Sequence, residues 1–197
     1  MKKLIGICGY ARSGKDTFYQ RSAHYLSQEG KVATRIAFAD ALKKELDPLL
    51  VKTIGISAFT EKDSEKELIR PLLVTYGTEL RRKLNPNCWI EAVQNKVIHH
   101  INQNEYVFVT DVRYENEAEW IKINNGILIH VQREGVGPAN HEEHRQYIRM
   151  KKYIHFNICW PTFGNDAIES SDEYVVPTLS ALMKNMPEVN QVIEEVM

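Results

Sequence analysis

No stretch of this sequence is apolar for long enough to span a bilayer, so no membrane-crossing helix is expected. Neither sign of charge dominates: 25 Lys and Arg stand against 26 Asp and Glu, for a net charge of -1. A broad cationic face for extended nucleic acid is therefore not expected, although a small phosphorylated ligand needs only a local cationic pocket. Cysteine is scarce. Cys8, Cys88 and Cys159 are odd in number, widely spaced and in no metal pattern, which reads as reduced thiols in a cytoplasmic protein. There is no repeat, low-complexity tract or clear linker. The opening Met1-Lys-Lys and the apolar Leu4–Cys8 superficially resemble an export signal. That run is too short and leads into a glycine loop, so export is not expected.

What is present begins at that loop. Gly9-Tyr-Ala-Arg-Ser-Gly14-Lys15-Asp16-Thr17 has the Gly-x4-Gly-Lys spacing of a phosphate-binding loop. Small residues let the backbone curl until successive N–H groups point at a polyphosphate, and a following helix adds its positive end. The flanks suit such a loop: residues 3–8 read as a buried strand. Residues 14–29 read as a helix with Phe18, Ala23, Tyr25 and Leu26 available for its inner face, ending at Gly30. Asp16 stands where Ser or Thr is usual, with Thr17 beside it.

The 197 residues fit one domain, 43% hydrophobic and 26% charged. Further buried strands are expected at Ala33–Phe38, Tyr106–Thr110, Gly126–Val131 and Ile154–Cys159. Helical patterns fall at 40–50, about 65–83, 88–103, 114–124 and about 178–195. Alternating strands and helices predict a parallel sheet covered on both faces. Ligands in such folds lie at the carboxyl ends of the strands, which directs attention to Gly9–Thr17, Ala39-Asp40, Asp111-Val-Arg113 and Arg133 onward.

Asp111 ends an apolar strand, where a carboxylate can orient hydrated Mg²⁺ or can cap the helix starting near Tyr114. Asp16 raises the same pair of readings, and facing polyphosphate it would need Mg²⁺ between them; Thr17 could then donate its hydroxyl to an inner phosphate. Arg70, Tyr76, Thr78 and Arg81 form a second cluster with Trp89 close behind, either a phosphate grip or a solvated helix face. Phe38 and Tyr76 could sandwich a base, although an aromatic after a strand more often joins the core. Arg133, Gly135, Gly137, His141, His144, Arg145 and Arg149 mark a loop whose arginines could close as a lid. Its histidines read as charged, solvent-facing loop residues, because zinc lacks a third ligand.

In order along the chain, Gly-x4-Gly-Lys15-Asp16-Thr17, the Phe38-Ala39-Asp40 region, Tyr76-Gly77-Thr78-Glu79 with Arg81 and Trp89, and Thr110-Asp111-Val112-Arg113-Tyr-Glu-Asn-Glu117 resemble the phage-type deoxynucleoside monophosphate kinases. The resemblance covers residues 5 to about 117, with a weaker echo in the arginine-bearing loop beyond. It implies a three-layer α/β P-loop kinase fold. Such a fold has a five-stranded parallel sheet, a monophosphate-binding helical region at about 40–103 and a lid at about 133–152. It further implies that Gly9, Ala11, Arg12, Ser13, Gly14, Lys15, Asp16 and Thr17 hold the triphosphate of ATP, with Asn165 as a candidate adenine contact. Phe38, Asp40, Arg70, Tyr76, Thr78, Arg81, Trp89, Asp111 and Arg113 would meet the deoxynucleoside monophosphate, with Arg70 and Arg81 on its phosphate. Lys15, Arg113 and Arg133 would be catalytic, and Asp16 and Asp111 would attend Mg²⁺.

The implied reaction gives a deoxynucleoside diphosphate and ADP, in the host cytoplasm if the chain is phage-encoded. Two other readings stand beside it: a kinase for another phosphorylated metabolite such as phosphomevalonate, and a non-catalytic nucleotide-binding switch. The arginines at 70, 81 and 113 count against the switch, which needs no second phosphate pocket. The amphipathic stretch 88–103 could serve a homodimer interface, but the core is the better assignment.

Overall fold

The computed structural model describes residues 3–164 and 169–183. Leu4–Cys8 forms β1, apolar throughout because both of its faces are covered. It lies at the centre of a five-stranded, all-parallel sheet with β2 (Ala33–Ile36), β3 (Tyr106–Val109), β4 (Ile127–Arg133) and β5 (Ile154–Trp160). Their order is β2-β3-β1-β4-β5. Leu4 pairs with Val107 on one side and Ile5 with Ile127 on the other.

Seven α-helices fall within the described residues: α1 (Lys15–Gln28), α2 (Phe38–Ile54), α3 (Asp63–Val74), α4 (Cys88–Asn102), α5 (Glu115–Ile123), α6 (His141–Met150) and α7 (Asp172–Met183). On one face of the sheet Ile5, Ile7, Phe108, Ile129, Val131 and Trp160 pack with Phe18 and Leu26 of α1 and with Val175 and Leu179 of α7. Arg21 pairs with Asp172, tying α1 to α7. Each fully buried side chain of this size contributes about 1.5–3 kcal/mol by leaving water. The other face is covered by α5, which lies against β1 and β4 and buries Ala118 and Ile121.

The structure divides into two compact units. One is Ala37–Asn95; the other comprises the described residues up to Ile36 and from Lys96 onward, and contains the sheet. The smaller unit has its own apolar centre, with Leu46, Leu50, Ala58 and Ile69 buried and Ile56, Leu73 and Tyr76 packed against them.

Several expected boundaries move for identifiable reasons. The second strand stops at Ile36, because Ala37 is the extended N-cap of a helix that Phe38 opens, and that helix runs on to Ile54 before Gly55 turns left-handed. β4 gains Gln132 and Arg133, held by pairing with Cys159 and Trp160. The helix expected over about 65–83 changes winding: α3 ends at Val74 and Thr75–Arg82 is a π-helix. The histidine-bearing segment read as a loop is helix α6, started by Asn140, whose Oδ1 accepts the Glu143 N–H at 2.9 Å. The last helix begins at Asp172, earlier than 178, and its expected extension to about 195 lies outside the described residues. On α4, Trp89, Ile90, Val93 and Val97 are buried, whereas Ile98 is 49% exposed. The three cysteines are free thiols, and no described helix is long and apolar enough to cross a membrane.

Candidate functional site

The chain leaves β1 at Gly9 and enters α1 at Lys15, so the glycine loop lies at the carboxyl end of the central strand, where the strand order changes direction. Gly9 has φ 147° and Gly14 φ 93°, conformations that L side chains rarely adopt. Space also forbids a side chain at both. A Cβ on Gly9 would fall 2.1 Å from the Val131 carbonyl oxygen, and one on Gly14 would fall 2.7 Å from the Trp160 ring. Between them Arg12 is exposed and left-handed, with φ 64°, a local strain that the tight turn imposes.

The loop is held from below. Trp160, the last residue of β5, donates its indole N–H to the Ser13 carbonyl at 2.9 Å. The Ser13 hydroxyl is buried with no partner among the described residues, as is Thr110 Oγ1 at the end of β3. Buried polar atoms are nearly always satisfied in native proteins, so these two hydroxyls at the carboxyl end of the sheet are groups that water or a bound ligand can satisfy. Lys15 Nζ folds back over the loop and donates to the carbonyls of Gly9 at 2.8 Å and Tyr10 at 2.7 Å. Burial lowers its pKa, and the nearby Arg113 guanidinium pushes the same way, while Asp16 opposes them. Lys15, Asp16 and Arg113 thus share one field.

Two more elements converge there. After β3, the helix start expected near Tyr114 is confirmed, but its cap is not Asp111. The carboxylate of buried Glu117 accepts the N–H groups of Arg113 at 2.8 Å and Tyr114 at 3.0 Å. Nor does a side chain cap α1: Gly14 holds that position, and Asp16 is exposed in the first turn. From α6, Glu143 accepts the Ala11 N–H at 3.1 Å and the Ala139 N–H at 2.6 Å. An anionic group therefore sits on a backbone donor of the glycine loop. Alongside it the Tyr10 hydroxyl meets His144 Nδ1 at 3.2 Å. The Tyr147 ring lies over His130, 4.6 Å between centroids. His130 is buried in β4, and burial pulls its pKa down to about 4, so it is neutral.

The smaller unit holds a second constellation, around a residue that carries no motif. Glu45 on α2 accepts from the Tyr76 hydroxyl at 2.8 Å and from Arg81 Nη2 at 2.9 Å. The Arg81 guanidinium lies over the Trp89 ring, 5.5 Å from its centroid, and the Trp89 indole donates to the Gly77 carbonyl at 3.3 Å. The bond to Glu45 raises the Tyr76 pKa. Arg70 is exposed on α3 and makes none of these bonds. Thr78 is half-buried in the π-helix, while Phe38 and Asp40 occupy the first turn of α2 with Phe38 buried. Arg133 closes β4 in register with Trp160, and its Nε is buried with no partner among the described residues. Thr17 is half-buried in the first turn of α1. Asn165 lies outside the described residues.

Sequence reasoning missed Trp160, Glu143 and Glu45, and gave no role to Glu117, the last residue of the motif that starts at Thr110. For Glu143 a signal existed: Asn140 followed three residues later by a glutamate is a helix-start pattern. For Glu45, one acid among the charges of an amphipathic helix, there was none.

The parallel sheet, its order and the loop at its centre define the class, an α/β protein with the P-loop kinase fold. The family model for deoxynucleotide monophosphate kinase matches residues 20–146, well over half of the chain. The chain belongs to that family. The matched region starts beyond the glycine loop, so membership does not rest on that widespread motif. A protein of Acanthamoeba polyphaga mimivirus, itself named a deoxynucleotide monophosphate kinase by inference, is 28% identical over 172 residues, covering 79% of this chain and 86% of the relative. The protein is accordingly a nucleotide monophosphate kinase, a phosphotransferase acting on deoxynucleotides.

Proposed function

We propose that this kinase takes the γ-phosphoryl group from ATP and transfers it in line to a deoxynucleoside monophosphate. An acceptor phosphate oxygen forms a bond to the γ-phosphorus as the bond to the bridging β,γ-oxygen breaks; ADP leaves and the acceptor becomes a diphosphate. The acceptor is already an oxyanion near neutral pH, so no strong general base is needed, and the protein supplies position and compensating charge.

The observation that carries this reading is the environment of Lys15. It is a partly desolvated ammonium, tied to loop carbonyls and within the field of Arg113, beside a turn whose buried Ser13 hydroxyl has no partner among the described residues. On binding, Lys15 would exchange carbonyls for phosphate oxygens, the loop N–H groups from Ala11 to Thr17 would hold the triphosphate, and Arg113 and Arg133 would stabilise charge during transfer. The Nε of Arg133, with no partner among the described residues, is a donor suited to this purpose. The helical unit Ala37–Asn95 is read as the acceptor-binding region, with Arg70 and Arg81 on its phosphate, and 133–152, containing α6, as the lid.

Among the described residues no three His, Cys, Asp or Glu side chains group to cage a metal. The donors at hand suit Mg²⁺ differently: exposed Asp16 and strand-end Asp111 are hard oxygen ligands of the kind that hold this ion by one or two carboxylates while substrate phosphates complete its shell. Mg²⁺ bound there would supply neutralising charge to the phosphates. A coupled assay with ATP and a panel of monophosphates tests the whole reading. Transfer to at least one deoxynucleotide is expected; nucleotide binding without transfer, or transfer to phosphomevalonate alone, would overturn it.

A further inference from the structure

The π-helix Thr75–Arg82 does something that an α-helix in its place would not. In an α-helix of roughly 3.6 residues per turn, residues five apart lie well round the axis from each other. The wider winding, with hydrogen bonds between residues five apart, brings such a pair onto one side. Tyr76 and Arg81 are that pair, and both reach one carboxylate, Glu45, at 2.8 and 2.9 Å. The π-helix also comes close to its neighbours at Gly77. A Cβ there would fall 2.2 Å from Leu42 Cδ1, and the Gly77 carbonyl takes the Trp89 indole N–H. Arg81 is consequently fixed on three sides: its backbone by the π turn, its face by Trp89 and one Nη by Glu45. Its other Nη is left over, and its Nε, shielded from water, has no partner among the described residues. A guanidinium so constrained, with a donor left over, is built to receive an acceptor from outside the chain.

We propose that Glu45 is a positioning residue for the acceptor monophosphate, acting through Arg81: its carboxylate sets the guanidinium so that the remaining donors face the acceptor's phosphate oxygens. This rests on the reading of Arg81 as a ligand of that phosphate. Glu45 does not touch substrate. Its negative charge would by itself repel a phosphate, so the benefit is orientation of the planar fork, whose two parallel bonds to a phosphate demand a fixed plane. Tyr76 contributes by holding the other carboxylate oxygen, which keeps Glu45 from rotating away.

The test is steady-state kinetics with each substrate varied in turn, on Glu45→Gln, Glu45→Ala, Tyr76→Phe, Arg81→Ala and the Glu45→Ala/Arg81→Ala double variant. Glu45→Gln is close to isosteric and keeps the fold available if Glu45→Ala unfolds, in which case Glu45→Gln/Arg81→Ala replaces the double variant. Both Glu45 variants should raise KM for the deoxynucleoside monophosphate about tenfold with KM for ATP unchanged, and Tyr76→Phe about two- to threefold. In the double variant the loss should be no greater than for Arg81→Ala alone, because a residue that acts through Arg81 has nothing left to position. An unchanged or lowered acceptor KM in Glu45→Gln, a parallel rise in the KM for ATP, or effects that multiply in the double variant would each overturn the proposal. If Arg81→Ala itself leaves the acceptor KM unchanged, the reading of Arg81 fails first, a separate result.

Discussion

The glycine loop and the π-helix of the smaller unit both end in groups suited to phosphate, and both meet an internal carboxylate. They differ in what does the donating. In the loop the donors are backbone N–H groups, set out by the glycine spacing, and Glu143 reaches one of them from 132 residues away. In the π-helix the donor is a side chain, aimed by Glu45 from 36 residues away and by Trp89. Backbone donors survive substitution of neighbouring side chains, so the loop is vulnerable at its glycines and at Lys15. A side-chain donor is vulnerable at every partner that aims it.

The largest expected effect is on the loop side. Lys15→Met should lower turnover by about 10²–10³-fold, the scale of losing one preorganised charge at a transition state, with a melting temperature close to the parent's. Arg81→Lys keeps the charge but loses the planar fork, and should act mainly on the acceptor KM. If the two variants produced the same pattern of kcat and KM, the distinction between the regions would collapse.

Next are the glycines. Gly14→Ala meets a ring carbon in a packed core at positive φ and should cost about 2–4 kcal/mol in urea unfolding. Gly77→Ala meets only the end of the flexible Leu42 side chain and should cost about 1–2 kcal/mol. The reverse order would show that the π-helix, not the loop, is the more rigid of the two.

A pH effect of intermediate size belongs to the loop side alone. His130 titrates at about 4 in the folded chain, against 6.5 when unfolded, because burial disfavours its charged form. Its contribution to stability is complete above pH 6.5 and declines as pH falls toward 4, since the unfolded chain then binds the extra proton. The decline should be at most about 1 kcal/mol per pH unit between 6.5 and 5, the part of the window above the carboxylates. Unfolding midpoints of the parent and of His130→Gln across that range measure it; parallel slopes would remove His130 from the account.

The smallest effect concerns Glu143. Its carboxylate occupies the Ala11 N–H and adds negative charge near Lys15, in competition with a polyphosphate. Glu143→Gln should tighten nucleotide binding about two- to fivefold by calorimetry. Weaker binding in that variant would mean that Glu143 holds the loop open for the ligand instead of blocking it.

Much of the fold was legible because it depends on local pattern. Leu4–Cys8 has the run of a strand covered on both faces, within one residue of the expected 3–8; α1 needed only Gly14 before it and the apolar Phe18 and Leu26 within it. Errors arose where long-range pairing moved a boundary, as when Cys159 and Trp160 extend β4 through polar Gln132 and Arg133. The smaller unit's winding was illegible for a similar reason. Nothing local to Thr75–Arg82 distinguishes a π-helix from an α-helix, and the residues it meets, Leu42, Glu45 and Trp89, all lie outside the segment.

By itself, then, the sequence determined the alternation of strands and helices, the glycine turn between the first pair and the residue types suited to phosphate. Each is a property of neighbours along the chain, fixed by backbone sterics and periodicity. The tertiary structure alone decided which acids meet which distant donors: Glu143 on Ala11 and Glu45 on Tyr76 and Arg81; it also set Trp160 beneath Ser13 and Gly14. Such a carboxylate carries no mark of its partner in its local pattern. Glu117, whose partners lie within four residues, is the local exception; the others were set when packing brought distant segments within hydrogen-bond reach.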